Sequence, residues 1–271
     1  MIRPFALTIA MSLLRTSVSL LCLVVPLLAA QPAQAVLIDE IQVYADDINA
    51  PGEKGLELHL NTTPSGRSTP DYPGEVVPAH GWRLTPELSL GLAADFEAGL
   101  YAPLSRDASG DTRLAGLKVR LKWLPVRPGE DGRGAFMGAN LELSRLEHRF
   151  ADSRTGAELR LIGGWRDERW LLAVNPVFEW NLSDGQGSAT PEVSLGVKVA
   201  RSVAGDVSLG LEYYAGLGTA RHLVSPAHQP QSLYAVLDAK LLGADVNFGL
   251  GRGLTGAADR ITVKTIVGFS F

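Results

Sequence analysis

The chain has 271 residues, of which 46% are hydrophobic and 20% charged, with 29 glycines and a single cysteine. This composition indicates a folded protein and excludes a disordered chain and a disulfide-stapled one. The formal net charge of −4 argues against nucleic acid as a partner.

The first 35 residues have the features of a secretory signal peptide. Arg3 and Arg15 precede an apolar run over residues 18–30, and an A-x-A site ends at Ala35, with no acidic residue before it. The apolar run is too short to favour a retained membrane-anchor helix. We therefore expect export and cleavage near Ala35.

Cleavage there would remove Cys22 and two arginines, leaving 23 basic against 29 acidic residues and no thiol. Residues 36–54 contain five acids and no strand pattern, and we expect a short segment that is either periplasmic or tucked inside the domain that follows. Residues 55–271 form that domain.

From residue 55 onward the dominant signal is alternation with period two, which predicts β-strands with one apolar face. In "LAGLKVRLKWLP", Leu117, Val119, Leu121 and Trp123 share one face, and Lys118, Arg120 and Lys122 share the other. About twelve such runs occur, each near the length of a tilted membrane-crossing strand. They predict an all-β fold: a closed, antiparallel, up-and-down transmembrane β-barrel in the outer membrane.

The connections between these runs alternate between long and short, with one exception at 126–133. Outer-membrane barrels have this asymmetry, because their periplasmic turns are tight and their outer loops long. Aromatic residues at the strand ends predict two girdles. The members are Phe96, Trp123, Phe136, Trp165, Trp170, Phe269 and Phe271 at the periplasmic rim, and Trp82, Tyr101, Trp180 and Tyr213 at the outer rim.

The last strand ends on Phe271, with apolar residues at alternate positions before it. This ending resembles the C-terminal signature of bacterial outer-membrane barrels, which implies that Phe269 and Phe271 are read by the barrel-assembly machinery. The last strand is expected to pair with the first, near residues 55–61, because an open edge in lipid would leave backbone groups unsatisfied. Pro176 interrupts the seventh strand, where a bulge could absorb the lost hydrogen bond.

The inward face is predicted to carry charges of both signs. Its members are Lys118, Arg120, Lys122, Glu142, Glu158, Arg160, Glu179, Glu192, Lys198, Glu212, Asp238 and Lys240. One interpretation is a polar lumen that conducts small solutes, and the other is a cross-braced interior whose ion pairs close the pore. The sequence leaves both open.

An enzyme is the weaker alternative. Ser144 and His148 share a strand face but lie about 13 Å apart along an extended strand, too far for a nucleophile and its base in a lipid hydrolase. His222 and His228 fall in one long loop, where solvated histidines are commoner than metal ligands. We expect no catalytic residue, no metal and no cofactor.

The stretches "DEIQVYADDINAPGEKGLELHLN" and "RLTPELSLGLAADFEAGLYAPL" resemble the opening of uncharacterised proteobacterial outer-membrane proteins. More loosely, they resemble the barrel family named after the MetA pathway of phenol degradation. The resemblance implies a barrel for uptake of small, aromatic compounds. We expect a channel for small aromatic or anionic solutes, surrounded by outer-membrane lipids. The alternative is a non-conducting structural or interaction barrel.

Overall fold

The computed structural model describes residues 39–183 and 190–271, so the predicted signal peptide 1–35 lies outside the described residues. The strands are β1 (Lys54–Ser65), β2 (Trp82–Ala93), β3 (Phe96–Tyr101), β4 (Leu104–Arg106), β5 (Thr112–Leu114), β6 (Gly116–Val126), β7 (Gly134–Leu146), β8 (Thr155–Arg166), β9 (Trp170–Asn181), β10 (Glu192–Ala204), β11 (Val207–Thr219), β12 (His222–Leu223), β13 (Gln231–Leu241), β14 (Ala244–Gly253) and β15 (Ile261–Ser270). A short 3-10 turn spans Pro226–His228. Within the described ranges, no helix is long and apolar enough to cross a membrane.

Twelve of these strands, all except β4, β5 and β12, form one antiparallel sheet that closes when β15 pairs with β1. The Lys54 N–H donates to the Phe271 carbonyl at 3.0 Å, and the Phe271 N–H donates to the Lys54 carbonyl at 2.9 Å. The backbone ladder therefore continues to the last residue, and the sheet has no free edge. The predicted closed barrel of about twelve strands is confirmed.

Alternating side chains separate an apolar exterior from a polar interior. On β6 the outward residues are between 41% and 51% exposed, namely Leu117, Val119, Leu121 and Trp123. The inward residues are between 5% and 8% exposed, namely Lys118, Arg120 and Lys122. This distribution is the reverse of a water-soluble sandwich, in which the apolar face is the buried one, and it suits a wall surrounded by lipid.

The two ends of the barrel differ in their connections. At the short-turn end these are residues 94–95, 127–133, 167–169, 205–206 and 242–243. At the long-loop end they are 66–81, 102–115, 147–154, 220–230 and 254–260, and residues 182–183 and 190–191 lie at this end between β9 and β10. In the two-residue turn 242–243, both Leu242 and Gly243 have positive φ, 52° and 83°, as a tight hairpin turn that follows the strand twist requires.

Pro176 needs no bulge. The register between β8 and β9 is the same on both sides of the proline, and only the bridges opposite Leu161 and Ile162 are missing. On its other side β9 pairs continuously with β10, with Pro176 opposite Leu195. The expected bulge is therefore wrong, because the strand loses local hydrogen bonds to one neighbour without changing its residue count.

Two aromatic residues assigned to the girdles point inward instead. Tyr101 is 0% exposed and Phe136 is 1% exposed, whereas the girdle residues Trp123 and Trp165 are more than 40% exposed. Their positions near strand ends suggested the rim, but strand parity places both on the inner face. Interior packing holds these two rings.

Candidate functional site

The barrel interior contains the chain's own residues 39–53, which we call the lumen segment. The Asn61 amide on β1 donates to the Asp39 carbonyl at 2.9 Å, and the Lys264 ammonium on β15 donates to the Ile41 carbonyl at 2.8 Å. From β8, across the barrel, Arg160 donates to the Gln42 carbonyl at 3.0 Å. Inward side chains from well-separated strands thus hold one extended stretch of backbone.

Tyr44 is the most heavily contacted residue of the lumen segment. Its N–H donates to Asn175 Oδ1 at 2.6 Å, and its carbonyl accepts from Asn175 Nδ2 at 3.0 Å. Its hydroxyl lies 3.0 Å from the Tyr101 hydroxyl, and the Arg160 guanidinium lies 4.6 Å from its ring centroid. An amide side chain here pairs with backbone as a neighbouring strand would, which satisfies groups that the barrel would otherwise bury unpaired.

Apolar contacts complete the packing of the lumen segment. Val43, Tyr44 and Ala45 form one buried cluster with wall residues, namely Leu124, Phe136, Ile162 and Ala173. Ile41 packs in a second cluster with Tyr234 and Val236. The inward-pointing Phe136 therefore belongs to a small core between the segment and the wall.

The lumen segment rejoins the wall at the short-turn end. The Asn49 N–H donates to Glu97 at 2.7 Å, and its side-chain amide donates to Ser89 at 2.8 Å. Gly91 on β2 exchanges backbone hydrogen bonds with Gly52 and Glu53. A Cβ on Gly91 would collide with the backbone of Ala50, so the close approach requires glycine there.

The basic row on β6 is paired on every member. Lys118 lies 3.0 Å from both Asp39 and Glu142. Arg120 contacts Glu87 and lies 2.6 Å from Glu97. Lys122 lies 3.5 Å from Glu97 and from Asp47. Two of the three cations thus bridge the wall and the lumen segment.

A second charged cluster lies on the opposite wall. Lys264, fully buried, lies 2.5 Å from Glu212, and Lys198 lies 3.2 Å from the same carboxylate. Lys198 also pairs with Asp238 at 2.9 Å, and the Tyr214 hydroxyl donates to Glu212 at 2.7 Å. Glu212 is thus satisfied by two cations and one hydroxyl, which compensates for its loss of water.

Four predicted lumen acids form a row on adjacent strands. Glu142 pairs in register with Glu158, Glu158 with Glu179, and Glu179 with Glu192. Lys118 lies beside the first, and Arg160 lies 3.0 Å from the second. Like charges directly opposite each other oppose pairing, so the cations stabilise this stretch of wall.

The remaining predicted residues lie at the short-turn end. Lys240 is exposed and lies 3.5 Å from the exposed Asp245, at the rim. Phe269 is outward-facing and 41% exposed, and Phe271 is 69% exposed beside the start of β1. Both aromatic residues are open to their surroundings, as a recognition signal needs to be.

The loop 66–81, which we call the mouth loop, contacts loops half the barrel apart in strand order. The Arg67 N–H donates to Asp259 in the β14–β15 loop at 2.9 Å. The Val76 N–H donates to the Arg149 carbonyl in the β7–β8 loop at 2.8 Å, and the Tyr72 and His148 rings are 5.2 Å apart. The mouth loop thus crosses the long-loop end, above the lumen segment.

Two carboxyls at the mouth loop, Glu75 within it and Asp259 in the β14–β15 loop, have pKa values shifted in opposite directions. Burial would raise the pKa of Glu75, but hydrogen bonds from Arg67 at 2.6 and 2.8 Å and from the Asp71 N–H outweigh it, so this pKa is lowered. Burial raises the pKa of Asp259, and the Arg67 N–H offsets only part of the shift. Arg67 therefore contacts both carboxyls, Glu75 through its guanidinium and Asp259 through its backbone N–H.

Ser144 and His148, which the sequence places too far apart to act as a lipid-hydrolase pair, have other neighbours in the structure. The His148 imidazole bonds to the Asp152 carbonyl at 3.0 Å and packs on Tyr72. Ser144 lies opposite Lys118 and Gly156 on the sheet. In the described part of the chain, the contacts of His148 are those of a loop-bracing residue.

Several contact residues were not among the predicted site residues. Glu87 and Glu97 are the main partners of Arg120. Both occupy inward positions in the alternating pattern of their strands, so this pattern alone would have predicted them. Tyr44 and Asn175 could not be found in this way, since Tyr44 lies in a segment without periodicity and Asn175 gains its role only from that neighbour.

Solved structures of outer-membrane proteins share this fold at low sequence identity. A KdgM porin superposes with a TM-score of 0.52 and 11% identity, over 80% of this chain and 99% of the other. An outer membrane channel from Pseudomonas putida F1 superposes with a TM-score of 0.54 and 13% identity, over 86% of this chain and all of the other. The chain thus has the fold of outer-membrane porin-type barrels.

No family model matches the chain, and no curated protein matches it. The comparisons therefore supply no link to the phenol-degradation family that the opening strands resemble. Among the solved structures, a KdgM porin in complex with disordered oligogalacturonate also superposes, with a TM-score of 0.50 and 11% identity.

Proposed function

We propose that the protein is an outer-membrane channel for small solutes, and that its own lumen segment closes the channel in this structure. The observation that carries this proposal is the placement of residues 39–53, whose backbone bonds to inward side chains of β1, β8, β9 and β15. The short-turn end then faces the periplasm and the mouth loop faces the outside. The exposed apolar wall supports contact with membrane lipid.

The segment is suited to leave without unfolding the wall. It forms no strand of the barrel, and its wall contacts are mainly ion pairs and hydrogen bonds with two small apolar clusters. Water can replace polar partners when a segment withdraws, whereas a buried apolar face gains nothing from water. Strand pairing alone closes the barrel, and the lumen segment takes no part in that pairing.

Anionic solutes fit the emptied lumen best. The lumen segment contains five acids and no base, and its partners include the basic residues Lys118, Lys122, Arg160, Arg166 and Lys264. An anion in its place would meet the same donors. A KdgM porin in complex with disordered oligogalacturonate shares this fold, and oligogalacturonate is an anionic solute, which is consistent with this solute class.

The alternative is a non-conducting barrel, which the dense interior pairing favours. Arg120, Glu87 and Glu97 lie on neighbouring strands and pair without the segment. If such pairs fill the interior after the segment leaves, solutes find no path. A structural or interaction role would then follow.

A planar-bilayer recording separates the two. The mature chain should be silent or open rarely, and a variant lacking residues 36–49 should conduct with anion preference. Replacing Lys118, Lys122 and Arg160 by Gln in that variant should move the reversal potential toward cations. A folded deletion variant that stays silent would replace the channel by the non-conducting barrel.

A further inference from the structure

A histidine lies between two carboxylates on the inner wall of β1 and β2. The Nε2 atom of His59 is 3.4 Å from Glu57 Oε2 and 3.4 Å from Glu87 Oε2. Glu57 and Glu87 face each other in register across the β1–β2 pair. The three ligand atoms all lie within 4.8 Å of one another.

Both ring nitrogens of His59 lack a hydrogen-bond partner, although the side chain is 0% exposed. The neighbours opposite it are Thr85 on β2 and Ile266 on β15. Such a group in the interior costs free energy unless a further species satisfies it. The Nε2 atom faces both carboxylates, but its 3.4 Å separation from each exceeds that of an ordinary hydrogen bond.

Two of the three separations between ligand atoms, those from His59, match the edge of a metal coordination polyhedron. Ligand atoms about 2.0–2.1 Å from a tetrahedral Zn²⁺ are roughly 3.3–3.4 Å from one another. The distance from the His59 nitrogen to each carboxylate oxygen is 3.4 Å. One imidazole and two carboxylates form a donor set suited to Zn²⁺ and similar divalent ions.

We propose that Glu57, His59 and Glu87 bind a divalent transition-metal ion of the Zn²⁺ type, with water as a further ligand. Arg120 contacts Glu87 through Oε1, which leaves Oε2 free for the metal and orients the carboxylate. Glu57, about one-third exposed, provides the entry side for the ion. The Arg120 charge lowers the affinity without blocking the ligand atoms.

Zinc titration of the folded, chelator-stripped mature protein in detergent tests the site. Isothermal calorimetry should show one Zn²⁺ per chain, and Co²⁺ should give the visible absorption of a low-coordinate N/O site. His59→Gln and Glu57→Gln should each weaken binding at least tenfold. The matched control is His222→Gln, which removes an exposed loop imidazole and should leave the affinity unchanged.

Heat-dependent gel mobility identifies the folded variants, and Glu57→Gln carries the test if His59→Gln does not fold, since Glu57 is partly solvated. Absence of one-to-one binding in the parent chain would overturn the site and mean that His59 is held by a proton between two carboxylates. Equal affinity in the folded variants would overturn it as well. Neither result bears on conductance, so the channel proposal is tested separately.

Discussion

Asn175 holds Tyr44 by two hydrogen bonds, one accepted from the Tyr44 N–H at 2.6 Å and one donated to its carbonyl at 3.0 Å. The two residues are 131 positions apart in the chain, and both are almost fully buried. A single wall side chain thus satisfies the backbone of the lumen segment at its best-packed residue. Release of the segment requires both bonds to break.

Asn175→Ala should therefore raise the open probability of the channel. Two backbone groups of Tyr44 would be left unpaired, which costs about 1–3 kcal/mol and shifts the segment equilibrium about 5- to 150-fold. Single-channel recording measures the change. Asn140→Ala is the matched control, because Asn140 is equally buried on β7 and its Oδ1 has no hydrogen-bond partner. A larger effect at Asn140 would contradict the role of Asn175.

Arg120→Met should destabilise the barrel, because Glu87 and Glu97 would be left buried without their main cation. Removing one partner of a buried pair costs about 3–5 kcal/mol. Lys240→Met should cost about 0–1 kcal/mol, since its pair with Asp245 is exposed. Urea unfolding in detergent, followed by gel mobility, compares the two. Equal urea midpoints for the two variants would mean that water solvates Arg120, so that its ion pairs stabilise the barrel no more than the exposed pair of Lys240 does.

Phe271→Ser should reduce assembly in the outer membrane with little effect on the folded barrel. The ring is 69% exposed, so the native state loses little packing, and its backbone bonds to Lys54 remain. Heat-modifiable protein in membranes should fall, while unfolding of refolded protein should change little. Phe248→Ser, an outward aromatic on β14, and His228→Ser in an outer loop serve as controls. Equal assembly of all three variants would remove Phe271 as a signal.

Acid should loosen the mouth loop through Glu75. Because its pKa is lowered in the folded loop, its contribution is present above its unfolded value of about 4.3 and is lost as pH falls through the folded value. Hydrogen exchange at the Val76 amide, corrected for intrinsic rate, should show lost protection below about pH 4. Glu75→Gln should reduce the protection at neutral pH and remove this step.

Asp259 has the opposite effect on how the stability of the loop depends on pH. Its pKa is raised by burial, so the loop gains stability as pH falls through that value. Asp259→Asn separates the two contributions, because the acid-induced loss should then appear without this compensation. A Val76 amide that stays protected to pH 2 in the parent chain would show that Glu75 does not control the loop.

The barrel itself was predictable from sequence because strand parity is a local property. Backbone geometry turns each side chain to the face opposite its neighbour, so the alternation around Lys118, Arg120 and Lys122 already divides lipid from interior. Closure near residues 55–61 follows from the need to satisfy backbone groups in lipid. Phe136 and Tyr101 were misplaced because their position along the strand was considered and their parity was not.

Only the tertiary structure decided what fills the barrel. The contact between Asp39 and Lys118, the Asn175 bonds to Tyr44 and the ligand-like geometry at His59 join residues distant in sequence or on separate strands. The lumen segment has no period that could predict its path. Its place depends on interior size and on which wall groups need partners, and these arise only when all twelve strands have closed.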